Sequence, residues 1–209
     1  MPLQLYDKEK ILDACFDVFS RHGYVNTSTT MLAEAAGISK ALIFHHFKSK
    51  KELYLSVLDR CIEKGRIEMG FDTLLEHQDF FEAKEKFSVI KFHYYKKNSG
   101  LMRIMQEAFY ATPDELKMEI QDKYGVLLAN NEKEWKRLFK KVPLRKGVDR
   151  EQAFRLVMLT LDYFDDKFLL ELDNNHDLEE AYLRNFLEER KNFLSMIRFG
   201  IEKQKEELS

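Results

Sequence analysis

Breakers are rare in this chain: 209 residues contain three prolines and eight glycines, so long helices are possible. Cysteine is rarer still. Cys15 and Cys61 stand far apart and have neither the spacing of a zinc site nor that of a redox pair. They read as buried free thiols on helix faces, a usage that fits a reducing cytoplasm. No stretch approaches the roughly 20 apolar residues of a membrane span, and the N-terminal MPLQLYDKEK has no apolar signal core. A cytoplasmic protein with no membrane partner is expected. Charge of one sign is also lacking: 34 basic residues face 36 acidic ones, for a net charge of -2. That excludes a basic field over the whole molecule, so any nucleic-acid site must be a local patch. No nucleophile with a base, no metal-ligand set and no phosphate-cradling glycine loop is recognisable. His77, His93 and His176 are isolated, and the adjacent Asp165 and Asp166 face different sides of a helix. The chain reads as a non-enzyme with no cofactor, metal site or catalytic residue.

What remains is an ordinary globular composition with a highly charged surface: 44% hydrophobic and 33% charged. Apolar residues recur at helical spacing, as in Ile11, Leu12, Cys15, Phe16, Val18 and Phe19, a run preceded by Asp7 and ended by His22-Gly23. Ser49 with Glu52 and Thr112 with Glu115 have the form of capping boxes, the second with proline at the first helical position. Asp79 with Glu82, Asp149 with Gln152 and Asp177 with Glu180 are weaker versions. No alternating β-branched run argues for a strand. The fold class is therefore all-α, with about nine helices and no flexible linker.

The richest stretch is TSTTMLAEAAGISKALIFHHFKSKKEL, residues 27–53. Thr27, Ser28 and Thr29 open a helix; one caps it, and the others can turn hydroxyls to phosphate. Leu32, Ala33 and Ala36 give that helix an apolar face whose alanines permit a close crossing. Gly37 can take a left-handed turn, Ile38 plugs the small core, and Ser39 caps the next helix. That helix offers Lys40, Ala41, Leu42, Phe44, His45 and His46 outward, while Ile43 and Phe47 turn in. Lys48, Lys50 and Lys51 then lie beside a helix N-terminus, a combination suited to holding phosphate. Glu34 is the only acid between Arg21 and Lys51. This is the layout of a helix-turn-helix, whose second helix lies in the DNA major groove.

Taken together, ILDACFDVFSRHGY, TS, LAEAAGIS and HFKSKKEL make residues 9–58 resemble the DNA-binding domain of the tetracycline-repressor (TetR) family of bacterial regulators. The resemblance implies a two-fold dimer, one recognition helix per subunit and a pseudo-palindromic double-stranded DNA operator. It implies a helix-turn-helix domain over residues 1–48 and a helical effector-binding and dimerisation domain over 49–209. The DNA-facing set it suggests is Thr27, Ser28, Thr29, Ser39, Lys40, Ala41, Phe44, His45, His46 and Lys50, with Lys40 and His45 reading bases. Two positions depart from the family pattern. Phe44 stands where tyrosine is usual, losing a phenolic hydrogen bond to phosphate, and Ala41 stands where glycine is frequent.

Aromatic residues are concentrated beyond residue 71. Phe80, Ala83, Phe87, Ile90 and Tyr94 form one stripe, with Phe81, Phe92 and Tyr95 off it. Most of these read as core, and some as cavity lining. The resemblance raises the second reading, because such C-terminal domains commonly hold an inducer. The candidates are Met105, Phe109, Tyr110, Tyr124, Phe164 and Phe168, for a small, largely apolar or aromatic effector with a polar end. The last two helices, about 150–173 and 178–207 around Asn174-Asn175, offer surplus apolar surface for a homodimeric four-helix bundle. Tyr182, Phe186, Phe193, Ile197 and Ile201 run down one side of the last helix. A ligand-responsive repressor is the reading these features favour. An activator, or a helical module binding acidic protein, is the alternative.

Overall fold

The computed structural model describes residues 8–70, 79–174 and 178–203. Asp7, His77, Asn175, His176 and Asp177, singled out above, lie outside them. Nine α-helices form among the described residues: α1 Lys8–His22, α2 Thr29–Ala35, α3 Lys40–Phe47, α4 Lys50–Met69, α5 Phe80–Lys97, α6 Ser99–Phe109, α7 Lys117–Phe139, α8 Arg150–Asn174 and α9 Glu180–Ile201. A short 3-10 turn, Asp114–Leu116, leads into α7. The only strand-like pairing there is one antiparallel bridge between Leu144 and Glu202.

Most of the local signals act as read. The Ser49 hydroxyl oxygen accepts from the Glu52 amide at 3.1 Å, Asp79 from Glu82 at 2.9 Å and Asp149 from Gln152 at 2.8 Å. The Thr112 box does not form. Its hydroxyl donates back to the Ala108 carbonyl at 2.6 Å, and the chain enters α7 through Pro113 with no side-chain cap. Bonding back to a carbonyl four residues earlier is the local alternative open to any threonine.

The chain divides into two compact units. The first gathers residues up to Glu68 with Asn98–Gly125, and the second gathers Met69–Lys97 with the residues from Val126 onward. In the first unit the core of α1 to α4 is Ile11, Leu12, Cys15, Phe19, Leu32, Ile43, Phe47, Leu53 and Tyr54, all nearly inaccessible. Cys15 and Cys61 are free and buried, and burial pushes each thiol up to about 12, which leaves them unreactive at neutral pH. In the second unit Phe80, Phe81, Trp135, Phe139, Phe154 and Val157 form the main core. Phe92, Phe164, Phe168 and Phe186 form an aromatic cluster beside α9 with ring centres 4.7 to 5.7 Å apart.

On the last helix the apolar stripe divides. Phe186 and Ile201 are core, and Ile197 packs against it. The surplus face is elsewhere: Phe193, Met196 and Phe199 on α9, with Leu156, Leu159, Tyr163 and Leu170 on α8, are all exposed. A helix carrying apolar residues on more than one side does not announce in sequence which side its own unit will use.

Candidate nucleic-acid interface

The α2-turn-α3 segment is built by local bonds. Ser28 caps α2, accepting from the Met31 amide at 3.2 Å, and Ser39 caps α3, accepting from the Leu42 amide at 3.2 Å. Between them Gly37 adopts φ +65°, the left-handed value a tight helix-helix turn needs. Ile43 and Phe47 turn into the core, while Lys40, Ala41, Phe44 and His45 are exposed and His46 is half-buried against the His45 ring. No acidic residue occurs between Ala35 and Lys51. Among the described residues neither Lys40 nor Lys48 is engaged in an ion pair, so their charges are available to a partner.

Lys48 ends α3 in an unusual way. Its backbone is at φ 49°, ψ −37°, the only positive φ at a non-glycine position among the described residues. The Ser49 amide donates to the Phe47 carbonyl across it, forming a three-residue turn. A lysine held there costs roughly 1 to 2 kcal/mol relative to glycine.

The loop before α2 is pinned from several directions. One oxygen of Glu107, from α6, accepts from the Tyr24 amide at 2.7 Å; the other accepts from the Tyr54 hydroxyl of α4 at 2.9 Å. The Lys50 ammonium donates to the Tyr24 and Thr27 carbonyls at 3.0 and 3.1 Å and sits 4.1 Å from the Tyr24 ring centre. Thr27 is buried, and its hydroxyl donates to the Gly23 carbonyl at 2.6 Å. Gly23 itself has φ +70°, and a Cβ there would come within 2.7 Å of the Glu107 carboxylate. Burial and the Glu107 carboxylate both drive the Tyr54 phenol far above its ordinary range, so it remains a donor.

This alters the roles of three residues. Thr27 and Lys50 serve the loop first; two of the three Lys50 donors are occupied by carbonyls. Lys51 pairs with Glu119 and is not a free cation. Ser28, Thr29, Ser39, Lys40, Ala41, Phe44, His45 and His46 remain together at or near the surface of α2 and α3. Glu107 and Tyr54 were missed in sequence, because a carboxylate 83 positions from its partner gives no local signal.

Residues 11–57 match the model of the tetR family of bacterial regulatory proteins. The N-terminal domain belongs to the tetR family. Among curated relatives, the transcriptional regulator RutR of Escherichia coli K12 is 39% identical over 56 residues, 27% of this chain and 26% of RutR. The transcriptional activator FasR of Mycolicibacterium smegmatis is 28% identical over 115 residues, 54% of this chain and 51% of FasR. The chain therefore spans between a quarter and a half of the length of these relatives. Across the rest the likeness is one of fold. The regulator FadR of Bacillus subtilis, solved in complex with stearoyl-CoA, superposes with a TM-score of 0.65 at 16% identity, over 94% of this chain and 100% of that one. The all-α TetR architecture thus extends over nearly the whole chain.

The six effector candidates do not share a unit. Met105, Phe109, Tyr110 and Tyr124 are in the first, Phe164 and Phe168 in the second. Tyr110 is exposed, and Tyr124 is buried with its hydroxyl 2.8 Å from Asp59 and its ring edge-on to Phe109. Phe164 and Phe168 are fully buried in the aromatic cluster. His93 is on the surface, its ring bonded to the Val89 carbonyl at 2.8 Å. Among the described residues no group of three His, Cys, Asp or Glu side chains could hold a metal ion, and no helix is long and apolar enough to cross a membrane.

Proposed function

We infer that this protein is a DNA-binding transcriptional regulator that grips a pseudo-palindromic duplex as a homodimer and answers to a small effector. The observation that carries the reading is the exposed, acid-free face of α3, from Ser39 to His46, inside a tetR-family domain. Each subunit lays α3 in a major groove. Lys40 and His45 face base edges, and Ser28, Thr29 and Lys48 face phosphate. Lys50 holds the loop that sets the angle of α2 and keeps one donor for phosphate. In functional terms residues 1–48 read DNA, and residues 49–209 bind effector and dimerise.

Dimerisation uses the surplus apolar side of α8 and α9, around Leu159, Tyr163, Met196 and Phe199. It brings the two α3 helices about 34 to 36 Å apart, one turn of duplex. The effector acts by population shift: it favours a dimer whose recognition helices are wrongly spaced, and DNA favours the other, so each weakens the other. Helix α4, continuous from the DNA-reading part, is the lever. The usual outcome of such a device is repression. The likeness to an activator, FasR, keeps activation as the second reading.

The test is selection of a duplex from a random pool, followed by anisotropy titration at several salt concentrations. The reading requires a palindromic preference of about a thousandfold or more over random duplex, and affinity that falls steeply with salt. Equal binding to all sequences contradicts it. Sedimentation of a Leu159→Glu, Met196→Glu double variant checks the dimer: the wild type runs as a dimer at micromolar concentration, the variant as a monomer.

A further inference from the structure

The second unit contains two buried cations with no carboxylate of their own. Arg190, on α9, is 4% exposed, and its Nε has no hydrogen-bond acceptor. Lys84, on α5, is 5% exposed, and its ammonium rests 3.7 Å from the centre of the Trp135 ring. The acids nearby are engaged elsewhere: Asp165 with Lys91, and Glu85 with Lys191 at 2.8 Å. Asp162 has its carboxyl pushed upward, by burial first and by Asp165 second. A buried charge without a partner is costly to keep. Lysine can escape by releasing its proton, and burial brings Lys84 down to about 7. Arginine cannot escape at neutral pH: burial lowers Arg190 only to about 10.

The surroundings suit an amphipathic guest. The Arg190 guanidinium lies 6.0 Å from the Phe92 ring centre, at the edge of the Phe92, Phe164, Phe168 and Phe186 cluster. Arg190 also lines an open groove of about 390 Å³ between α5 and α9, together with Glu85, Ser88, Val89, Leu187 and Lys191. That volume is within the range of small-molecule sites. Glu85 and Glu188 also line the groove, and their charge would disfavour a guest with more than one negative group.

We propose that this groove leads to a binding site for a singly headed amphipathic anion, whose oxyanion group pairs with Arg190 backed by Lys84 and whose apolar body lies along Val89 and Leu187. The proposal deepens the effector reading and rests on it for regulatory meaning; the binding site itself is a separate claim. Charge-assisted bonds to arginine would give the head group most of its selectivity.

The experiment titrates the intact protein with the fluorophore anilinonaphthalene sulfonate and with its uncharged counterpart phenylnaphthylamine. The sulfonate is expected to bind about tenfold more tightly, the scale of one charge-assisted contact. Arg190→Met should abolish that preference while leaving the neutral probe within about twofold, and Lys140→Met on the exposed surface should leave both unchanged. On the unaltered protein, dodecanoate should displace the sulfonate at about tenfold lower concentration than dodecanol, which keeps the test valid should Arg190→Met misfold. Equal affinity for the charged and neutral probes, or a preference that survives Arg190→Met, overturns the proposal. Duplex binding separates it from the effector reading. Arginine-dependent anion binding with duplex affinity unmoved sustains the site and defeats the effector role. Duplex release by a neutral compound, with no anion preference, sustains the effector role and defeats this site.

Discussion

The two units treat buried and half-buried polar groups in opposite ways. In the first, nearly every one is matched: Glu107 spends both oxygens on Tyr24 and Tyr54, Lys50 spends two donors on carbonyls, and Thr27 closes on Gly23. In the second, Arg190 and Lys84 are buried with no matching acid. A matched network fixes one geometry, which a helix that must enter a groove at a set angle requires. An unmatched cation leaves energy to be recovered when something else arrives, which is what a responsive element requires. The first unit is built to present and the second to receive.

The largest expected effect breaks the matched side. Glu107→Ala leaves the Tyr24 amide and the Tyr54 hydroxyl without acceptors, and should destabilise the protein by about 3 to 5 kcal/mol in denaturant unfolding, two charge-assisted bonds' worth. A loss below about 1 kcal/mol would mean the clamp is incidental. The unmatched side should respond in the other direction. Lys84→Met should stabilise by about 1 to 4 kcal/mol. That gain depends on pH. Because the folded pKa lies below the unfolded one, the folded state holds fewer protons between about 7 and about 10. Wild-type stability therefore rises with pH across that window, and the variant's advantage is full at pH 6 and shrinks toward pH 10. An advantage independent of pH would show that Lys84 titrates alike in the folded and unfolded chain.

A smaller effect sharpens the link between structure and binding. Lys48→Gly relieves a left-handed backbone and should raise stability by about 1 kcal/mol. The same change removes a free cation beside α3, so duplex affinity should fall and the slope of log affinity against log salt should lessen by about 1. Unchanged duplex binding would remove Lys48 from the interface.

What could be read from the chain follows from how local each signal is. The caps at Ser39 and Ser49, the turn at Gly37 and the inward Ile43 and Phe47 depend on neighbours within a few positions and were legible, while the cap of α2 could be narrowed only to Thr27, Ser28 or Thr29. Thr112 was misread because two local bonds compete for one hydroxyl and only the tertiary setting chooses. Lys50 read as a phosphate clamp since a lysine at a helix start usually meets solvent; its carbonyl partners are 23 and 26 positions away. Lys84, Glu107 and Arg190 were invisible for the same reason, charged residues being surface by default. On α9 the sequence shows too many apolar residues to tell core from interface, and only burial separates Phe186 from Met196.

The central claim is that the outer face of α3 holds a duplex. The direct measurement is the affinity of the wild type and of Lys40→Ala and His45→Ala for the palindrome enriched from random sequence, read by anisotropy. Both residues are exposed, so stability should change by less than about 0.5 kcal/mol. Each substitution should cost about 1 to 3 kcal/mol in specific binding and relax preference at its own base positions. Wild-type affinity in both variants, with sequence preference intact, would contradict the account.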